Sequence, residues 1–309
     1  MIAPEVREAL QRAVGDSVEF DADTSRLTSL RVGGPADALA TPEDRPALAR
    51  LLATCHAHRL RQRVIGRGFN MLIRDEGFDG VLIRLSRFRA LEERPGPRIF
   101  AEAGVSHASL TRFCRDRGLS GLEYGAGIPG SLGGWIAMNA GIGPRETRDI
   151  VEEIEVIGPL GDEPRQIPRD ALQFEYRALR GLEAGTVVVS ALLEVKTATP
   201  DEVGAEVERL LAHRAATQPL DIPSCGSVFK NPPGGFAGQL IEAAGLKGSQ
   251  RGGVMISPVH ANFIVNTRVG SGACADDVLT LIERARTEVE RSSGIRLETE
   301  VQILGRTHS

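Results

Sequence analysis

The chain has 309 residues, 41% hydrophobic, 25% charged and 4% aromatic, a globular composition that excludes disordered and fibrous classes. Its 37 basic and 41 acidic residues leave a net charge of −4 spread along the sequence, which argues against general nucleic-acid binding or adhesion to a membrane surface. The length suggests two domains of about 150 residues, and a chain of this size buries about 75% of its unfolded surface without disulfide or metal staples.

Met1 to Leu10 carries Glu5, Arg7 and Glu8 without an apolar run, so no signal peptide is expected. Thr41-Pro42-Glu43-Asp44 reads as a helix start, with Leu48, Leu51, Leu52 and Cys55 following on one face. Arg63 to Ile65 predicts a short strand running into glycines, and Val81 to Leu85 another. A helix over Ser106 to Arg117 stops at Gly118. The longest uncharged stretch, Tyr124 to Pro144, holds seven glycines and two prolines, which rules out a lipid-spanning helix. Strands follow at Val151 to Ile157 and Val187 to Val195.

At Thr199-Pro200-Asp201-Glu202 a capped helix restarts the pattern, with Val203, Val207, Leu210 and Leu211 on one face, and a domain boundary is placed just before it. Helices near Phe236 to Ala244 and Cys274 to Ser293 are closed by Gly245 and Gly294, and strands are expected at Asn262 to Asn266 and Leu297 to Leu304. No internal repeat occurs, so solenoids and propellers are disfavoured. The class is α+β in two domains, the first in two lobes.

Cys55, Cys114, Cys225 and Cys274 show no CxxC or metal-finger spacing and fit reduced thiols of a cytoplasmic protein. His56, His58, His107, His213 and His308 form no HxxxH or HExxH arrangement, so no metal site is expected; His260, beside Asn262, is the histidine to place near a ligand. No GxSxG elbow supports a serine hydrolase.

Four motifs can carry chemistry. Gly66-Arg67-Gly68-Phe69-Asn70 ends a strand and leads to extended Met71-Leu72-Ile73, unlike a Rossmann loop that opens a helix; it fits either an ordinary turn or a phosphate cradle. Gly125 to Gly134, followed by Met138-Asn139-Ala140-Gly141, fits either a tight internal loop or backbone laid against something flat or charged. Gly226 to Pro232 sets Ser227 three residues from Lys230, one of only three lysines, the others being Lys196 and Lys247, against 34 arginines. In Leu297 to Ile303 the residues Leu297, Val301 and Ile303 share one strand face, and Glu298, Glu300 and Gln302 the other.

Together these motifs resemble one flavoprotein family, the UDP-N-acetylenolpyruvoylglucosamine reductases of bacterial peptidoglycan synthesis. The matching pieces run in order: Thr28 to Gly34, Gly66 to Asn70, Gly127 to Gly134, Asn139 to Gly141, Phe174 to Arg177, Arg214 with Gln218-Pro219, Gly226 to Pro232, Gly238 to Gly248, His260 to Asn266, and Leu297 to Gly305. The short segment between Arg177 and Val187 resembles the branch that lacks an extra tyrosine-bearing loop.

The resemblance implies a two-lobed FAD-binding region of the vanillyl-alcohol-oxidase (PCMH) type over 1–198, with lobes of about 1–86 and 87–198, and a substrate-binding α+β domain over 199–309. It implies non-covalent FAD held by Gly66, Gly68, Phe69, Asn70, Ile128, Pro129, Gly130, Ser131, Gly134, Asn139 and Arg214. Family members usually carry serine where Phe69 stands and a small residue where Arg67 stands, so Arg67 is expected to supply charge in place of a lost hydroxyl. The Asn-Ala-Gly element continues as Ile142-Gly143-Pro144 rather than the usual Ala-Tyr-Gly.

In the family's reaction NADPH reduces FAD and leaves, and an enolpyruvyl ether of a UDP-sugar takes its place. Hydride adds to the methylene carbon while negative charge builds on the carbon bearing the carboxylate. By resemblance Arg177 supplies positive charge, Glu300 donates a hydrogen bond to the same oxygens and Ser227 delivers the proton. The same resemblance implies that Tyr176, Lys230, Asn231 and His260 hold the nucleotide-sugar. The strand pattern alone does not choose between Glu298 and Glu300; the resemblance favours Glu300. The partners so implied are this small molecule and NADPH, with no nucleic acid and no membrane insertion. Two other functions stay open: a flavin oxidoreductase of the same fold acting on another small substrate, and a redox-inactive nucleotide-binding regulator.

Overall fold

The computed structural model describes residues 2–306; His308, one of the histidines without metal-site spacing, lies outside the described residues. The chain forms two compact units. One contains Met1–Phe20, Ala38–Gly66 and Gly80–Arg214, the other Asp21–Asp37, Arg67–Asp79 and Ala215–Ser309.

The first unit opens with α1 (Pro4–Val14), whose proline sits at the first turn and whose Leu10, Ala13 and Val14 are buried. The sequence reading registered only the lack of a long apolar run here. The apolar face of α1 packs with that of α2 (Arg45–Ala57), where Leu48, Leu51, Leu52 and Cys55 are buried as the periodicity predicts. The start of α2 differs from expectation. Asp44, not Thr41, occupies the cap: its carboxylate accepts the Ala47 amide at 2.8 Å, and Pro46 stands in the first turn. Two proline-containing start signals lie four residues apart, and the charged cap nearer the apolar face prevails.

A five-stranded antiparallel sheet follows, in the order Arg165–Pro168, Val151–Ile157, Val187–Glu194, Arg98–Glu102, Leu91–Arg94. The predicted strands at 151 and 187 are two of its three inner members, and their β-branched runs explain why: both faces are covered. One side contributes Ile157, Val187 and Val189 to the cluster around α2. The other contributes Ile154, Val156, Ala191 and Leu193 to a second cluster with α3 (His107–Arg117) and α4 (Leu132–Ala137). Helix α3 is capped by the Ser106 hydroxyl and stopped by left-handed Gly118, as the sequence indicated. Helix α4 lies inside the glycine-rich stretch read as loop; Gly133 and Gly134 hide it from propensity, and buried Leu132, Trp135 and Ile136 hold it in place. Arg45 ties α2 to the sheet, donating to Glu155 at 2.9 and 2.6 Å and to Glu102 at 2.7 Å. Helix α5 (Pro200–Thr217), with its Thr199/Glu202 reciprocal cap, carries the chain to the last residue of this unit, Arg214.

The second unit is built on a four-stranded antiparallel sheet in the order Ser224–Ser227, Phe263–Asn266, Val254–Ile256, Gln250–Arg251. Helices α6 (Ala237–Ala243) and α7 (Ala275–Ser293) share its core with Leu30, Val32 and Leu72. The first turn of α7 is fixed by Asp75, whose two carboxylate oxygens accept the Ala275 and Asp276 amides at 2.8 and 2.9 Å. The final strand is shorter than predicted. Only Gln302–Leu304 is regular, paired in parallel with Met71–Ile73. Leu297 to Val301 instead runs along Val228 to Lys230 through one isolated bridge, Phe229 to Thr299, so strict alternation of faces does not govern Glu298 and Glu300. Among the described residues no helix is long and apolar enough to cross a membrane.

Candidate active site

In the first unit two glycine loops meet. A Cβ atom placed on Gly66 would lie 2.9 Å from the Ser131 hydroxyl oxygen, so only glycine lets the strand end at Val64 approach the second loop. Ser131 sits at the cap position of α4, but its side chain caps no amide. Gly127 is left-handed at φ +76°, and a Cβ there would stand 3.0 Å from Leu211 and 3.3 Å from Arg214. Gly127, Pro129 and Gly134 are exposed while Ile128 and Gly130 are half-buried, so this backbone presents a bare surface.

Arg214 lies beneath that surface. It is 9% exposed, and loss of hydration lowers its guanidinium pKa to about 10. His107 lies nearby, stacked on Trp135 with ring centroids 3.7 Å apart and planes 11° from parallel. Burial, and secondarily the Arg214 charge, push the His107 pKa down to about 3, which keeps the ring neutral. Its Nδ1 shares a hydrogen bond with Thr111 at 3.1 Å, and its Nε2 has no hydrogen-bond partner among the described residues. A desolvated cation under an uncovered glycine backbone suits an anionic, flat ligand better than it suits bulk water. These residues therefore fit a dinucleotide cofactor such as FAD.

Asn139 and Arg177 belong to a second cluster of this unit. Asn139 is fully buried in a left-handed conformation (φ +41°). Its amide nitrogen donates to Glu146 and to the Glu175 carbonyl, both at 2.9 Å, and its oxygen accepts from the Arg148 amide at 3.0 Å. Arg177 stands at the tip of the hairpin joining Gln173–Glu175 to Ala178–Arg180, also left-handed at φ +59°. A bulky residue held there costs of order 1–3 kcal/mol and calls for a compensating role. Its guanidinium donates to the Gly141 carbonyl at 3.0 Å, approaches Glu146 at 4.0 Å and lies 4.8 Å from the ring of Tyr176, itself 43% exposed. Glu146, 9% exposed, thus anchors Asn139, Arg148 and Arg177. Sequence reasoning missed it, because one glutamate after a Gly-Pro turn carries no spacing signal. It missed Trp135 and the neutral state of His107 for the same reason.

In the second unit Ser29 organises the other half of the Gly66 to Asn70 loop. Its amide and its hydroxyl both donate to the Gly68 carbonyl at 3.0 Å, and the hydroxyl also reaches the Ser224 carbonyl at 2.6 Å. Gly68 is buried at φ +68°, and a Cβ would come within 2.0 Å of the Leu27 carbonyl oxygen. The Phe69 carbonyl faces Gly226. Arg67 is exposed. Asn70 donates to the Glu300 carbonyl at 3.2 Å and accepts from the Gln302 amide at 3.1 Å.

The same unit gathers the remaining residues. The Glu300 amide donates to the Val228 carbonyl at 2.8 Å, which sets half-buried Ser227 and Glu300 on adjoining segments. Glu298 is 78% exposed and pairs with Lys230 at 3.4 Å. Asn231 is engaged structurally, accepting the Ala237 amide at 3.0 Å at the start of α6. The Nδ1 of His260 accepts the Asn262 amide at 3.2 Å, and burial lowers the His260 pKa. With Nδ1 an acceptor, the proton of the neutral ring stands on Nε2. Among the described residues no group of histidine, cysteine and acidic side chains can hold a metal ion.

Two family models match separate stretches of the chain. Residues 36–163 match the family model "FAD binding domain", and 218–304 match "UDP-N-acetylenolpyruvoylglucosamine reductase, C-terminal domain". The UDP-N-acetylenolpyruvoylglucosamine reductase of Geobacter metallireducens is 43% identical over 92% of this chain and 93% of its own length, and that of Geobacter sulfurreducens 42% identical over 96% and 97%. The crystal structure of the Thermus caldophilus UDP-N-acetylenolpyruvylglucosamine reductase superposes with a TM-score of 0.78 at 35% identity, covering 93% of this chain and 98% of that one. The fold is α+β, an FAD-binding domain with a C-terminal domain characteristic of these reductases. Likeness at that level over nearly the whole length, with a C-terminal domain specific to one activity, means that the chain belongs to the UDP-N-acetylenolpyruvoylglucosamine reductase family.

Proposed function

We propose that the chain reduces the enolpyruvyl ether of UDP-N-acetylglucosamine to UDP-N-acetylmuramate for peptidoglycan synthesis, with non-covalent FAD as cofactor and NADPH as reductant. The observation that carries this reading is the match over residues 218–304, since an unrelated flavoenzyme of the same FAD-binding fold need not contain that domain. We assign FAD binding to 1–198, in lobes of about 1–86 and 87–198, substrate binding to 199–309, and the cytoplasm as the compartment.

FAD when bound and reduced supplies a hydride to the methylene carbon of the substrate. The residues of the chain must then manage the charge left behind. Arg177 would neutralise the substrate carboxylate as electron density moves onto it, with its guanidinium held by Glu146 and the Gly141 carbonyl. Glu300 in its protonated form would donate to the same oxygens. Ser227 would transfer its hydroxyl proton to the carbon bearing the carboxylate. Gly66, Gly68, Phe69 and Asn70 on one loop, and Ile128, Pro129, Gly130, Ser131, Gly134 and Asn139 on the other, would hold the cofactor together with Arg214. Tyr176, Lys230, Asn231 and His260 would hold the nucleotide-sugar.

The test is a visible spectrum of the purified protein, followed by anaerobic NADPH and then the enolpyruvyl nucleotide-sugar. A yellow colour that bleaches with NADPH and returns with substrate is the expected result. A bleached flavin that the nucleotide-sugar leaves unoxidised would point to another substrate; a colourless protein that takes up no FAD would point to a regulator.

A further inference from the structure

The first unit contains a cavity of about 380 Å³, within the size range of small-molecule sites, walled by Tyr124, Ile142, Pro144, Arg145, Lys196 and the middle of α5. None of the residues assigned above to cofactor or substrate lines it. Its chemistry is uneven. Ile142, 39% exposed, and Leu210 give an apolar wall. Arg145 lies over the Tyr124 ring at 5.7 Å, reaches the Gly121 carbonyl at 3.4 Å and stands 3.7 Å from the Asp149 carboxylate, so its guanidinium plane is braced against an aromatic surface.

The charges in this cavity do not cancel. Glu206 is taken by Arg209 through hydrogen bonds of 2.7 and 2.6 Å, and Glu123 accepts the Gly121 amide at 2.7 Å. Lys196 meets no carboxylate among the described residues. The other two lysines are both paired, Lys230 with Glu298 at 3.4 Å and Lys247 with Glu242 at 2.8 Å. Lys196 is fixed at the cavity edge by strand pairing of its backbone with Ser120. An uncommitted ammonium and a braced guanidinium lining one cavity are a point-charge-plus-fork set suited to a phosphate monoester, and the apolar wall offers a surface for a ring attached to it.

We propose that this cavity binds a phosphorylated nucleoside, its phosphate on Lys196 and Arg145 and its base against Ile142 and Leu210. Two sources share that chemistry, the 2′-phosphoadenosine arm of the NADPH reductant and a free nucleotide. The experiment is calorimetric titration of the protein as purified with 2′,5′-ADP, AMP and inorganic phosphate, in wild type, Lys196→Ala, Lys196→Glu and Lys196→Arg. Its readout is binding, so failure here is separable from failure of the flavin assignment. At least one nucleotide probe is expected to bind, with affinity falling about 10–100-fold in Lys196→Ala, as for loss of a charged hydrogen bond, further in Lys196→Glu, and least in Lys196→Arg.

Steady-state kinetics then separate the sources. If the reductant is the ligand, 2′,5′-ADP competes with NADPH and Lys196→Ala raises the KM for NADPH by a similar factor, leaving kcat and the KM for NADH unchanged. If a free nucleotide is the ligand, binding is lost in the variant and the KM for NADPH does not move. Absence of binding by both nucleotides, or equal binding to wild type, Lys196→Ala and Lys196→Glu, overturns the proposal.

Discussion

The side-chain amide of Asn70 donates to the backbone carbonyl of Glu300 at 3.2 Å, joining two motifs separated by 230 residues in the chain. The strand pairing of Gln302–Leu304 with Met71–Ile73 continues directly from this contact. A residue that the family resemblance assigns to FAD therefore also fixes the backbone of a proposed catalytic glutamate. Asn70→Asp replaces the donor with a carboxylate facing a carbonyl oxygen. It should lower unfolding stability by about 1–3 kcal/mol, as for an acceptor left unsatisfied, with Asn70→Ala at the low end. Urea midpoints for the two variants check this, and a wild-type midpoint for Asn70→Asp would show that the contact contributes nothing.

Ser227, Glu298 and Glu300 are distinguished by separating the half-reactions. Removing a proton donor costs about 10²–10⁴ in the step it serves, so Ser227→Ala should bleach its flavin with NADPH at a near-normal rate and reoxidise with substrate very slowly. Glu300→Gln should show the same bias. Glu298→Gln should stay within a few-fold of wild type, because Glu298 is 78% exposed and engages only Lys230. Stopped-flow traces of each half-reaction decide this; equal slowing of both by Ser227→Ala, or a Glu298→Gln defect as deep as that of Glu300→Gln, refutes these roles.

Legibility in the sequence followed the local physics. Helices with a clean apolar face and a terminal glycine, such as His107–Arg117 and Ala275–Ser293, lie within one residue of expectation. So does the strand Val151–Ile157, whose β-branched residues are covered on both faces. Helix α4 was invisible because Gly133 and Gly134 have poor helical propensity and only tertiary burial of Trp135 and Ile136 stabilises it. The inclusion of 21–37 and 67–79 in the same unit as the C-terminal third has no periodic signature either, since it rests on contacts such as Ser29 to Ser224 and Asp75 to Ala275 across about 200 positions. Candidate site residues were legible as motifs, whereas Glu146, which anchors three of its neighbours, was not.

His107 predicts a pH dependence of stability. Its folded-state pKa of about 3 lies below the ordinary value of 6.5, so between those limits the unfolded chain binds the extra proton. Stability is therefore complete above about pH 6.5 and falls as the pH drops toward 3, by up to about 1.4 kcal/mol per unit from this one group. His107→Phe keeps a ring against Trp135 and removes the titration. Urea unfolding at pH 7.5, 6.0 and 5.0 should show the wild type losing stability more steeply than the variant; parallel profiles would mean that the imidazole is not held neutral.

Gly134 allows cofactor binding to be tested apart from folding. It lies inside α4, it is exposed, and a Cβ there meets nothing of the chain closer than the Ser131 hydroxyl at 3.8 Å. Alanine is the better helix former by about 1 kcal/mol, so Gly134→Ala should leave the flavin-free protein as stable as wild type or slightly more so. If the cofactor rests on this bare backbone, the added methyl occupies space that the ring or phosphates need, and FAD affinity should fall about tenfold or more. The two effects have opposite signs, which no general weakening of the fold can imitate. Thermal unfolding of the flavin-free variant and flavin-fluorescence titration measure them separately, and unchanged FAD affinity would remove Gly134 from the binding set while leaving Gly66, Ser131 and Arg214 to be tested by the same pair of measurements.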